Sequence, residues 1–257
     1  MENKKVLTSN NIPIKFTANN SVQLDTTSNI IKDGYIYLKQ FFDREKILSI
    51  REEYLGLFKN KSNLIPYGIK GHPAYEMVRR ESFKKFAHNE KILSLIADIT
   101  NNKNIKVLDR KILRHFCKNS YIASKAHIDY VYLNKGTKNI ITAWIPLGDC
   151  SIQTGGLIYL QNSHKIKYKS LKNLFPQYKN EKWITNDLEE LANRTSKKWM
   201  FTDYKAGDIV LHNPFIVHAS LDCSTYYMRV SADIRYMLES EKVDPRWLND
   251  WRANDGF

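Results

Sequence analysis

The sequence predicts a mainly β fold with flanking helices, a sandwich or barrel of the jelly-roll kind. Three observations carry that expectation. From Ile105 onward, short runs rich in Val, Ile, Tyr, Phe and Trp recur, broken by Asn, Gly, Asp and Ser, as strands and their turns require. There are about eight such runs, enough for two packed sheets. Ahead of them lie two stretches whose apolar residues recur at helical spacing, so helices should cover one outer face.

Residues 1–28 are polar, rich in Ser, Thr and Asn, and lack periodicity, so they read as a peripheral lead-in, partly an edge strand, without chemistry of its own. Gly34 to Leu38 reads as a strand. Asp43 then caps a helix whose Ile47, Leu48, Ile50, Tyr54, Leu55 and Phe58 should face a sheet. A loop with Pro66, Gly68, Gly71 and Pro73 follows, and a second amphipathic helix around Glu90 to Thr100 turns Ile92, Leu93, Leu95 and Ile96 inward. The strand candidates are IKVLDRKILRHF, KAHIDYVYL, NIITAWIPL, GGLIYLQNS, WMFTDYKA, DIVLHN, FIVHAS and MRVSADIRYML. Residues 165–198 interrupt this rhythm with mixed basic and aromatic residues, and an insertion of that length reads as a lid or substrate loop.

With 257 residues, 42% hydrophobic and 26% charged, the chain has material for one globular domain spanning 1–257, and fibrous or wholly disordered classes drop out. The net charge of +13 is mostly lysine dispersed along the chain rather than clustered, so a nucleic-acid partner is not favoured. Cys117, Cys150 and Cys223 are odd in number and far apart, which indicates neither a disulfide framework nor a thiolate metal site and suits a reducing cytoplasm. MENKKVLTSN has no apolar signal core, and no run approaches the ~18 apolar residues of a membrane span, so a soluble cytoplasmic protein is expected. Neither phosphate-binding glycine motif is present, which removes nucleotide hydrolysis.

The chemistry concentrates in two segments. AHIDYVYL places His127 and Asp129 two apart in an expected strand, so that an imidazole and a carboxylate project from one face. Such a pair suits Fe(II), and one further histidine would complete a facial triad with open coordination positions. Alone, the pair reads equally well as a buried histidine bonded to a nearby aspartate. Downstream, GDIVLHNPFIVHAS offers His212 and His218. Arg229 follows His218 by eleven residues, which lets a strand leave the metal, turn at Asp222 to Thr225 and return alongside; from His212 the separation is seventeen, awkward for one hairpin. His218 is therefore preferred as third ligand. Arginine offers the bidentate fork that the C5 carboxylate of a 2-oxoglutarate co-substrate needs, and Ser231 shares the Arg229 face.

These segments, together with DGYIYLKQFFDREKI, TAWIPL at 142–147, GGLIYLQNSHK at 155–165, GDIVL and MRVS, resemble the phytanoyl-CoA dioxygenase family of Fe(II)/2-oxoglutarate oxygenases in order and spacing through most of the chain. The resemblance implies a double-stranded β-helix, the cupin-like jelly roll. It also implies iron on His127, Asp129 and His218, co-substrate on Arg229 with Ser231, and Trp144 in the co-substrate pocket. Arg114 and Arg110, expected together on the preceding strand, fall where the family places polar contacts, although it seldom uses arginine there. The implied activity is hydroxylation of a substrate with O2, releasing succinate and CO2, and the Lys, Arg, Tyr and Trp content of the Gly68 to Arg80 loop and the 165–198 insertion points to a polar or anionic small molecule. Asp129 fills the position that related halogenases leave for halide. Desaturation, cyclisation or epimerisation on the same metal site is the alternative, and a non-catalytic β-sandwich binding protein is the alternative of another class.

The remaining candidates are weaker. His72, His88, His115 and His164 have no ligand spacing and are expected on the surface or in the core. Lys125 shares parity with His127 and either reaches into the cavity or marks its solvated entrance. Trp247 and Trp251 should anchor the tail against the barrel. Substrate should enter between the Gly68 to Arg80 loop and the 165–198 insertion.

Overall fold

The computed structural model describes residues 7–58, 62, 64–65, 67–119 and 123–253. Pro66 and residues 1–6, part of the expected lead-in, lie outside them. The described lead-in forms a hairpin, β1 (Leu7–Ser9) and β2 (Ile12–Ile14), and then β3 (Ser21–Gln23). β4 (Tyr35–Leu38) leads to helix α1 (Arg44–Gly56), whose Asp43 carboxylate accepts from the Lys46 amide as the capping pattern requires. Two short helices, α2 (Pro73–Met77) and α3 (Glu81–Ala87), occupy a stretch read as loop from sequence, since neither is long enough to show a helical period. α4 (Glu90–Thr100) then presents Ile92 and Ile96 to the core.

β5 (Ile105–Val107) and β6 (Ile112–Phe116) come next, followed by the single helical turn α5 (Tyr130–Leu133), β7 (Ile141–Pro146) and β8 (Leu157–Leu160). α6 (Tyr168–Leu174) and α7 (Leu188–Thr195) fill the insertion. β9 (Trp199–Phe201), β10 (Ile209–His212), β11 (His218–Ser220) and β12 (Arg229–Leu238) complete the order. Among the described residues, a larger sheet runs β4-β10-β7-β12-β5 with β6 also paired to β12, and a smaller one runs β11-β8-β9-β3. The result is a jelly roll of two sheets with a helical layer on each outer face.

The larger sheet reverses the usual sidedness of strands. Along β12, Val230, Ala232, Ile234 and Tyr236 join the cluster that holds Ile47, Tyr54, Ile92 and Ile96 of the outer helices, so the apolar side faces outward onto α1 and α4. The alternate residues Arg229, Ser231, Asp233 and Arg235 therefore face the smaller sheet. The smaller sheet is covered outside by the insertion: Leu171, Phe175, Leu188 and Leu191 pack with Ile158, Leu160, Val217 and Ala219. Complete burial of such side chains contributes about 1.5–3 kcal/mol each, ample reason for this segment to hold a fixed structure. Between the sheets, one end is filled by Tyr35, Tyr37, Trp144, Tyr159 and Tyr204, and the polar stripe of β12 is left facing the other end.

Two local expectations change. The segment 125–133 is not one strand. It is extended only at Ala126 and His127, which bridge to Thr185 and His218, and it turns helical from Tyr130, whose amide donates to the Pro214 carbonyl at 2.9 Å. Tertiary contacts override the strand propensity of YVYL. Likewise β11 and β12 do not form a hairpin, because β11 pairs with β8 and β12 with β6 and β7 in the opposite sheet. The eight-residue connection, 221–228, crosses from one sheet to the other.

Candidate metal centre

His127 and His218 lie opposite each other in an antiparallel bridge, exchanging backbone hydrogen bonds of 3.1 and 3.0 Å. Directly opposed residues project from one face, and the two ring centroids stand 4.2 Å apart. The Nδ1 of His127 donates to the Lys125 carbonyl at 2.7 Å, and the Nδ1 of His218 to the Ile216 carbonyl at 3.1 Å. A carbonyl can only accept, so each Nδ1 carries the ring proton and each Nε2 presents a lone pair.

The two oxygens of Asp129 have different tasks. Its Oδ1 lies 3.9 Å from His127 Nε2 and 3.6 Å from His218 Nε2. Its Oδ2 accepts from Thr142 Oγ1 at 2.7 Å, Arg235 Nη2 at 3.3 Å and, at a long 3.4 Å, His212 Nε2. The three donors are cross-strand neighbours, since His212 on β10 stands opposite Thr142 on β7 and Thr142 opposite Arg235 on β12. One row of the larger sheet thus fixes one oxygen and leaves the other turned to the imidazoles. The His212 Nδ1 in turn accepts from the Tyr159 hydroxyl at 3.0 Å.

Electrostatics agree with that geometry. Burial pushes the Asp129 carboxyl up, but the Arg235 guanidinium, the His212 hydrogen bond and the neighbouring imidazoles together hold it well below the usual carboxylate value. Burial pushes His218 well down, aided by His127 beside it, and lowers His127 against the pull of Asp129. Two neutral imidazoles and one carboxylate anion are a donor set that can hold a divalent metal ion, and their donor atoms lie within 4.8 Å of one another.

Arg229 is buried on β12. Its Nε donates to the Gly155 carbonyl at 3.1 Å, its Nη1 to Ser231 Oγ at 2.8 Å, and its plane lies 4.3 Å from the Phe116 ring centroid. No carboxylate stands within ion-pair range of it among the described residues. Gly155 adopts φ +87°, and a Cβ there would meet the Leu221 carbonyl at 2.7 Å, so only glycine presents this oxygen to the guanidinium. Arg114 on β6 makes a 3.4 Å contact with Asp233. Trp144 stands edge-on to Tyr204.

Two cavities meet here. The smaller, about 20 Å³, is bounded by His127, Asp129, Trp144, His218, Arg229 and Ser231, with Arg114 at its side. The larger, about 820 Å³, opens onto His127 and Asp129 and runs out past Lys125, Tyr132, Trp183 and Trp251. All seven side chains singled out for the metal and the co-substrate therefore surround one small chamber. Arg110 does not join them. It precedes β6 rather than lying on it, and its buried guanidinium sits 5.7 Å from the Trp247 ring centroid. Trp247 and Trp251 are both buried at the tail and also line the larger cavity, as does Asn10 of the lead-in. Thr142, His212 and Arg235 were missed as supports of Asp129. Arg235 had a legible signal, since it shares strand parity with Arg229 and Ser231; the others depend on pairing between strands distant in sequence.

Residues 30–231, the segment that supplies the seven side chains of the small chamber, match the phytanoyl-CoA dioxygenase (PhyH) family. The chain belongs to the phytanoyl-CoA dioxygenase family. Solved structures share its fold at low identity. The epimerase SnoN from nogalamycin biosynthesis, in complex with Fe3+, alpha ketoglutarate and nogalamycin RO, is 16% identical with a TM-score of 0.65, covering 84% of this chain and 83% of its own. The carbocyclase SnoK from the same biosynthesis is 14% identical with a TM-score of 0.62, covering 88% and 86%. HygX from Streptomyces hygroscopicus, with nickel and 2-oxoglutarate bound, is 16% identical with a TM-score of 0.59, covering 82% and 85%. Among curated protein sequences, none matches the chain. As in other members of the family, the two sheets form a double-stranded β-helix, and among the described residues no helix is long and apolar enough to cross a membrane.

Proposed function

We propose that this phytanoyl-CoA dioxygenase family member is an Fe(II)- and 2-oxoglutarate-dependent oxygenase that hydroxylates a polar or anionic small molecule. The observation that carries the reading is the convergence of His127 Nε2, His218 Nε2 and Asp129 Oδ1, each with its other heteroatom already engaged by the protein. When bound, the ferrous ion and 2-oxoglutarate supply the oxygen activation, consuming O2 and yielding succinate and CO2. His127, Asp129 and His218 would hold the ion, and both cavities reach His127 and Asp129. Arg229 receives the C5 carboxylate of 2-oxoglutarate as the charge partner it otherwise lacks. Ser231 accepts from Arg229 and keeps its own proton for the same carboxylate. Trp144 walls the chamber and keeps it dry, and Arg114 stands where both cavities meet.

The test is succinate release from 2-oxoglutarate by protein loaded anaerobically with Fe(II) and then exposed to air. Native protein should turn over, and Asp129→Ala should lose both metal uptake and succinate formation. Retention of wild-type turnover by that variant would remove Asp129 from the ligand set. Product analysis then separates hydroxylation from desaturation, cyclisation or epimerisation.

A further inference from the structure

The lining of the larger cavity holds more cationic than anionic side chains. Arg114, Lys125, Arg235 and Arg252 line it, and among the described residues Asp129 is the one carboxylate in the lining. Asp129 is already answered by Arg235 at 3.3 Å, and Arg114 by Asp233 at 3.4 Å. Lys125 differs from both. It is half-buried, no carboxylate lies within ion-pair range of its ammonium among the described residues, and its Nζ rests 4.0 Å from the centroid of the Trp183 ring. An aromatic face is a weaker partner for an ammonium than an oxyanion, so an anion entering the cavity meets a cation ready to exchange partners. Lys125 also belongs to this cavity and not to the smaller one, which separates it from the 2-oxoglutarate chamber.

Aromatic rings make up much of the remaining lining, beside the aliphatic Ile112 and Leu133 and a few small or polar residues. Tyr75, Tyr132, Trp183, Trp247 and Trp251 supply rings from the helical layer, the α5 turn, the insertion and the tail. Trp183 is held in place from behind: Lys172 of α6 donates to its carbonyl at 2.7 Å and to the carbonyls of Tyr178 and Glu181. A cavity of about 820 Å³ lies within the usual size range of small-molecule sites, and ring walls favour a flat apolar body.

We propose that this cavity takes a substrate carrying an anionic oxo group, a carboxylate or a phosphate ester, on a flat unsaturated ring, and that Lys125 is the residue that selects for the charge. The inference deepens the oxygenase reading and rests on it only in taking this cavity as the substrate's. Lys125 is a specificity-determining residue. Its side chain meets the anion, while its carbonyl holds Nδ1 of His127, so the anion anchors on the wall that carries the metal ligands.

Calorimetric titration of the full chain, with Ni(II) and excess 2-oxoglutarate present to fill the smaller chamber, tests this. The probes are indole-3-acetate, 1-naphthyl phosphate and the neutral indole-3-acetamide. At least one anionic probe should bind about tenfold or more tightly than the amide, and Lys125→Met should abolish that preference while leaving amide affinity unchanged. Lys125→Gln, which keeps a donor without the charge, should behave like the methionine variant. The carboxylate and phosphate arms show which oxyanion is preferred. Equal binding of anions and amide, a preference that survives in both variants, or no binding of any probe would overturn the proposal. A separate titration with 2-oxoglutarate alone, on native protein and Arg229→Ala, reports on the oxygenase reading, so the failure of one is distinguishable from the failure of the other.

Discussion

A carboxylate that must bind a metal through one oxygen needs something to occupy the other, or it rotates between the two. Asp129 meets this requirement with three donors, and their removal has graded consequences. His212 makes the longest of the three contacts and directs its Nε2 at Oδ2, not at Oδ1, so His212→Ala should weaken metal affinity by about 10- to 100-fold and leave a measurable site. Titration with Co(II), followed by its visible absorption, checks this against Asp129→Ala, which should show no binding. Loss of binding in the histidine variant as complete as in the aspartate variant would place His212 among the ligands themselves. The preference for His218 over His212 was drawn from a hairpin that does not exist. What supports it instead is that His218 faces His127 across a bridge, with both Nε2 atoms toward Oδ1.

At the scale of elements, legibility follows the range of the interaction. The Asp43 cap, α1, α4, β4 and the strands from β6 to β12 rest on local signals and stand where periodicity puts them. The α5 turn does not, because its conformation comes from a bond to Pro214 and from the closure of Asp129 against the larger sheet. His127 and Asp129 therefore converge by a bend between them and not by strand parity. The partners of Asp129 lie in a lateral row across β10, β7 and β12, and such a row is written in register, which a single sequence does not display. The insertion gives a prediction at this scale. Lys172 gathers three carbonyls in the 178–183 loop, and Lys172→Met leaves them without their shared donor. Hydrogen exchange across 178–183 should quicken while metal affinity stays unchanged; unaltered exchange would show that packing on Leu171 and Phe175 alone holds the loop.

For the whole molecule, the site sets part of the stability. Burial lowers His127, His164 and His218 from the ordinary imidazole value of 6.5, so below that pH the unfolded chain takes up protons that the metal-free fold refuses. Stability of the metal-free protein should therefore fall as pH drops from 6.5 toward the lowered values. Urea midpoints across that window check the sign, and a midpoint that rises on acidification would contradict it. His164→Asn should flatten the slope without touching the metal centre, because His164 packs against Gly34, where an added Cβ would lie 2.6 Å from its ring.

Arg229 extends the argument from acid to heat. Burial lowers the guanidinium's proton affinity, and its neighbours are a carbonyl, a hydroxyl and an aromatic ring, none of which carries a formal negative charge. Arg229→Met should accordingly melt no lower than the native chain when both are ligand-free, while its 2-oxoglutarate requirement climbs steeply and its iron requirement stays put. Thermal scans with and without 2-oxoglutarate would show it: the native protein gains heat resistance from the oxoacid, and the variant gains none. Competence and robustness thus pull against each other at a single side chain, and the empty enzyme is the more fragile for being ready.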